Sequence, residues 1–122
     1  MSHFVIIDGV RYVPAVIDQP VNYTDVRDKA IELSCEHFGI TVEQLKSESR
    51  LRNLVDARSI CFKVISECST TTLTRIGEDF GKNHATVLHG TRKAQNLIET
   101  DKEFRNAFEK IKNIVKSEFD IE

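Results

Sequence analysis

The sequence of 122 residues is short of most of what a catalytic, secreted or membrane-spanning chain needs. No apolar run approaches the roughly 20 residues that cross a bilayer. The N-terminus has no basic stretch followed by an apolar one, so it is not read as a signal peptide. Three cysteines, an odd number, make no disulfide framework, and a reducing cytoplasm is the simpler setting. There is no Cys-x-x-Cys and no His-x-x-x-His pair, which argues against a metal site. Cys61 and Cys68 lie seven apart on one predicted helix face and read as core. No Gly-x-x-x-x-Gly-Lys-Ser/Thr loop is present to cradle a nucleoside triphosphate, and there is no Gly-x-Ser-x-Gly elbow. The threonine cluster around Thr71 is a helix start before it is a nucleophile. Catalysis and cofactors are therefore not expected. Repeats, low-complexity tracts and long linkers are absent too.

What remains is an ordinary globular composition, 40% hydrophobic and 30% charged, of a length that suits one domain. A net charge of −2 counts against nucleic-acid binding when read as one number. Its distribution points the other way. Residues 1–45 carry a net −4, residues 46–93 a net +4 and residues 94–122 a net −2. Exposed charges are screened beyond about 8–10 Å, so a local basic block, not the total, attracts phosphate.

Residues 3–16 have a β-hairpin pattern with an Asp8-Gly9 turn, Pro14 marking an edge or an end of the second strand. An isolated hairpin is marginal in water, so it is expected to dock on the body or on another chain. Residues 17–22 read as a connector. Helical signals follow. Val26, Ala30, Leu33 and Phe38 space a helix over 24–38 that Gly39 ends. Thr41 and Gln44 make a capping box for a short helix through about Ser47. Residues 47–53 read as a basic loop. Asn53 with Asp56 is expected to cap a helix over about 54–68, with Val55, Ile60, Cys61, Val64, Ile65 and Cys68 inward. Thr100 and Glu103 suggest a capping box opening a last helix through about Ser117, striped by Phe104, Phe108, Ile111 and Val115.

Residues 73–93, LTRIGEDFGKNHATVLHGTRK, carry the function. Leu73, Ile76 and Phe80 form the apolar edge of one helix. Gly77 stands where two helices cross closely, and Gly81 where the backbone needs φ > 0. A second helix begins near Asn83, with Asn83, His84 and Thr86 at its polar start, Val87 and Leu88 inward, then Arg92 and Lys93. This is the layout of a helix-turn-helix reader of duplex DNA: the first helix braces, and the start of the second enters the major groove. The same pattern occurs as a plain packing corner. Against that stand a tip that is polar without being acidic and the basic loop before it. Arg50 and Arg52, with Lys46 and Arg58 nearby, suit either a solvated face or an arm reaching into a minor groove. His84 is placed as a DNA contact, and His89 as a structural hydrogen-bonding residue.

The segment IGEDFGKNHATVLHGTRKA resembles the signature of the C-terminal DNA-binding domain of the bacterial replication initiator DnaA, a Trp-repressor-like helix-turn-helix. AIELSCEHFGITVEQLKSESR resembles that domain's opening helices and VDARSICFKVI its long helix, so the likeness runs over about residues 24–112. It implies a mainly α, DnaA C-terminal-domain-like helical domain over residues 23–122, with the N-terminal β-hairpin and connector, 1–22, added. It implies base contacts from Asn83, His84, Ala85 and Thr86, with Thr74 at the neighbouring helix start. It puts Arg50 at the minor-groove arginine with Arg52 close by, and Arg58, Arg92 and Lys93 at positions that meet phosphate or brace the loop. Lys82 joins the phosphate-facing cations on its position in the turn. The departures are Asn83 for aspartate, Ala85 for the first of two threonines, Thr74 for proline, a turn one residue shorter, and Asp56 at a position often basic. They put the family's usual box sequence in doubt.

DnaA-like initiators carry an ATPase region before this domain, and only a hairpin precedes it here. A stand-alone reader of double-stranded DNA is expected, from a host or from a phage or other mobile element, acting in replication initiation or its regulation. Two rivals stay open: a protein-interaction module that binds replication or transcription proteins through the hairpin or the acidic tail, and a transcription regulator on the same reader. A monomer on an asymmetric site and a hairpin-mediated dimer also remain alternatives.

Overall fold

The computed structural model describes residues 5–7, 10–13, 16–20 and 22–121, the strand residues by backbone alone. Its helical part is built by local signals at nearly every boundary. Helix α1 (Tyr23–Phe38) starts where the Asn22 side chain accepts from the Thr24 amide, and stops where Gly39 turns left-handed at φ 64°. The short α2 (Val42–Leu45) opens with the full capping box, Thr41 and Gln44 each satisfying the other's backbone N–H. Helices α3 (Arg52–Cys68), α4 (Leu73–Phe80), α5 (His84–Thr100) and α6 (Lys102–Glu118) complete the set.

Helix α3 is the axis of the fold and touches every other helix. Ala57, Ile60, Cys61, Val64, Ile65 and Cys68 are fully enclosed along it. The Cys61 Sγ sits 3.2 Å from the Ser34 Oγ, and burial pushes its thiol up to about 12. Phe62 fixes the helix-turn-helix unit to this axis. Its ring meets Phe80 of α4 edge-on, centroids 5.0 Å apart. It also lies against Gly90 of α5, where an added Cβ would come within 2.5 Å of the ring. Phe104, Phe108, Ile111 and Val115 of α6 close the core from the other side, as their stripe predicts. Among the described residues, no helix is long and apolar enough to cross a membrane.

Two helix starts differ from expectation. Helix α3 begins at Arg52, earlier than the predicted 54, with Leu51 at its cap and no side-chain cap bond. Asn53 lies inside its first turn, and Asp56 is engaged by Arg52. The cap of α6 is Asp101, which accepts from the Phe104 amide, so no Thr100–Glu103 box forms. Thr100 instead donates to the Asn96 carbonyl at the end of α5. Val55 and Leu88, both expected inward, are half-buried.

Ahead of the helices, β1 (Val5–Ile7), β2 (Val10–Val13) and β3 (Val16–Pro20) pair antiparallel in that order. The Asp8-Gly9 turn on which the expected hairpin rests lies outside the described residues, as does Pro14. β3 runs through most of the predicted connector. The mainly helical class rests on the six described helices and not on these strands.

Candidate nucleic-acid interface

The turn between α4 and α5 is built by three local devices. Thr72 caps α4 by accepting from the Arg75 amide at 3.1 Å. Gly81 takes φ 67° after Phe80 and reverses the chain. Gly77 then lets the turn close, because a Cβ there would collide with the Lys82 carbonyl. The chain enters α5 through Asn83, whose Oδ1 accepts from the Thr86 amide at 2.9 Å and from the Thr86 hydroxyl at 3.1 Å.

That geometry leaves the start of α5 open. Asn83, His84, Ala85 and Thr86 are all exposed, while Val87 behind them is fully buried. No Asp or Glu occurs between Lys82 and Lys93. Thr74 is exposed on the first turn of α4, and Arg92 and Lys93 are exposed two turns along α5. The helix start therefore offers free N–H groups, a positive dipole end and neutral polar side chains, all suited to an anionic, hydrogen-bonding surface.

The loop of residues 46–51 lies against the flank of α5. Between them runs a groove of about 350 Å³, whose lining includes Glu48, Arg50, Phe62, Thr86, His89 and Lys93. Arg50 is exposed and makes no hydrogen bond or ion pair with any described residue. His89, expected to be a structural hydrogen-bonding residue, is exposed on the groove wall and makes no hydrogen bond there. Leu51, next to Arg50, stands 66% exposed at the loop's end.

Three of the predicted cations are already engaged. Arg58 donates to the carbonyls of Leu45 and Ser49 at 2.6 Å each, and to Gln44 O and Ser47 Oγ. Burial draws its pKa below the usual guanidinium range. Of its two expected roles, these contacts to three carbonyls and the Ser47 hydroxyl fit that of bracing the loop. Lys82 reaches back to Ser47 O at 3.1 Å and Glu48 at 2.8 Å, with only a tenth of its side chain exposed. This contact lowers the Glu48 carboxyl pKa below its ordinary value. Arg52 turns to Asp56 at 3.1 Å and Asp101 at 3.5 Å, which takes it toward the α6 start and away from the groove. Among the described residues, Arg50, Arg92 and Lys93 are basic side chains near the tip that make no hydrogen bond or ion pair.

A polar cluster that sequence reasoning missed ties this unit to α1. Tyr23 donates to the Asp79 carboxylate at 2.6 Å, Arg27 pairs with the same oxygen at 3.1 Å, and Arg75 stacks over the Tyr23 ring at 4.2 Å. Its members are about fifty residues apart, and no spacing rule would have joined them.

The family model described as the bacterial dnaA protein helix-turn-helix matches residues 28–94. Among curated proteins, the chain is 38% identical over 80 residues to the chromosomal replication initiator protein DnaA of Streptococcus pyogenes serotype M5 (strain Manfredo). The same identity is found with the proteins of that name from serotype M1 and from serotype M18 (strain MGAS8232). Each match covers 65% of this chain and 18% of the relative.

Proposed function

This chain belongs to the bacterial DnaA helix-turn-helix family, and from that premise we propose that it is a sequence-specific reader of duplex DNA. The observation that carries the reading is the open, acid-free start of α5, with Asn83, His84, Ala85 and Thr86 exposed together. A helix presented in this way fits the major groove, where polar side chains meet base edges. His84 and Thr86 read bases, Ala85 packs against a thymine methyl, and Thr74 borders the same groove. Arg50 enters the adjacent minor groove, whose negative potential draws a guanidinium group. Arg92 and Lys93 meet phosphates and set register. Residues 23–122 form the reader in this proposal, with residues 1–22 as an N-terminal β-hairpin and connector.

The relatives are named as chromosomal replication initiators, so replication initiation or its regulation is the process proposed. A transcription regulator needs the same site recognition. The test is a titration of the full chain against labelled random duplex at low salt, where even non-specific phosphate binding registers. Saturable binding that weakens steeply with salt is expected. No binding would favour the rival, a protein-interaction module on the same fold.

A further inference from the structure

Asn83 does two jobs at the tip, and the first constrains the second. Its amide has one acceptor, Oδ1, and one donor group, the Nδ2 amino. The cap uses the acceptor, because the Thr86 backbone N–H and the Thr86 hydroxyl both donate to it. A backbone N–H can only donate, so the carbonyl oxygen of the amide, and not its amino group, must face the Thr86 N–H. The amino end therefore points away from the helix start, and it makes no hydrogen bond to any described residue. An aspartate at this position would cap equally well, yet would offer an acceptor in the same place.

We propose that Asn83 is a specificity-determining residue that presents a donor to the major groove and so selects a base with an acceptor edge. Guanine, with both O6 and N7 as acceptors, is favoured. Thymine O4 and adenine N7 are tolerated. Cytosine, which shows only its N4 amino donor, is rejected. This deepens the duplex-reading function and depends on it. Thr86 adds to the same logic. Its hydroxyl hydrogen is spent on Asn83, so toward DNA it acts as an acceptor and a methyl group.

The test is selection of bound duplexes from a randomised pool, run in parallel on the full-length wild type and Asn83→Asp. Both keep a cap, and matched thermal melts confirm it. One position of the selected site is expected to change, from guanine in the wild type to cytosine in N83D, by about tenfold in relative affinity, with the rest of the site retained. Identical selected sites would reduce Asn83 to a cap and overturn the proposal. So would a wild-type preference for cytosine at the position that changes. If neither protein binds duplex at low salt, the reading function itself is lost. That outcome is separate from the others, because it leaves no site to compare.

Discussion

At the level of single side chains, exposure separates readers from braces, and the distinction is measurable. His84 is exposed at the α5 start and makes no hydrogen bond to any described residue. Truncating His84→Ala should weaken a cognate site by about 1–3 kcal/mol and leave random duplex within a few tenths. Anisotropy titrations on both duplexes decide it, and an equal loss on the two would remove His84 from the base readers. Arg50 and Arg58 give an internal contrast. Arg50→Ala should lower the slope of log K against log salt by about one. Arg58→Ala should chiefly lower the melting temperature, because it removes the donor contacts to the Gln44, Leu45 and Ser49 carbonyls and to the Ser47 hydroxyl. An unchanged slope for Arg50→Ala would place it in solvent. The sequence made the tip residues legible because they follow a glycine turn by a fixed offset. It could not sort Arg50 from Arg58, Lys82 and Arg52. A cation's role depends on whether an acceptor folds back onto it, and here Ser47, Ser49 and Asp101 do so from elsewhere.

At the level of elements, the helix-turn-helix unit is held by two close approaches to glycine. In an open helix interior, Gly→Ala gains about 0.5–1 kcal/mol from backbone entropy. Gly90 is not open, since an added Cβ meets the Phe62 ring at 2.5 Å and Phe62 is only 2% exposed. The ring is wedged against Phe80 as well, so it cannot yield without disturbing α4. Gly90→Ala should therefore destabilise by about 1–3 kcal/mol, as overpacked cores do. Urea midpoints at constant m-value would show it, and a stabilised variant would mean that the ring moves aside freely. Boundaries were legible wherever one residue alone could serve, as with Gly39, Gly81 and the Thr41–Gln44 box. They slipped where two neighbours competed. Thr100 and Asp101 both suit a cap, and the carboxylate took it while the hydroxyl turned back onto α5. At α3 the cap falls two residues ahead of the best capping residue, Asn53, and Leu51 stands where no side chain caps.

At the level of the whole molecule, the reading unit must be held rigidly to the rest, and the Tyr23–Asp79–Arg27 cluster does this across more than fifty residues of chain. Burial alone would raise the Asp79 pKa. Hydrogen bonds from Tyr23 and Arg27, with the charges of Arg27 and Arg75, outweigh burial and hold it below the ordinary aspartate range. Burial and the same carboxylate push the Tyr23 phenol upward, so it stays a donor at every working pH. A carboxyl group whose folded pKa is depressed adds stability above its unfolded pKa, and that stability fades as pH falls through the folded value. Wild type and Asp79→Asn should therefore differ most in melting temperature near neutrality and converge below about pH 4. The variant keeps shape and volume, so the difference isolates the charge. A gap that stays constant from pH 7 to pH 3 would show that the carboxylate's ionisation does not stabilise the junction. Duplex affinity supplies the functional arm. If this cluster sets the angle of α4 and α5 on the frame, Asp79→Asn should weaken a cognate site while leaving the salt slope unchanged, because no phosphate contact is removed.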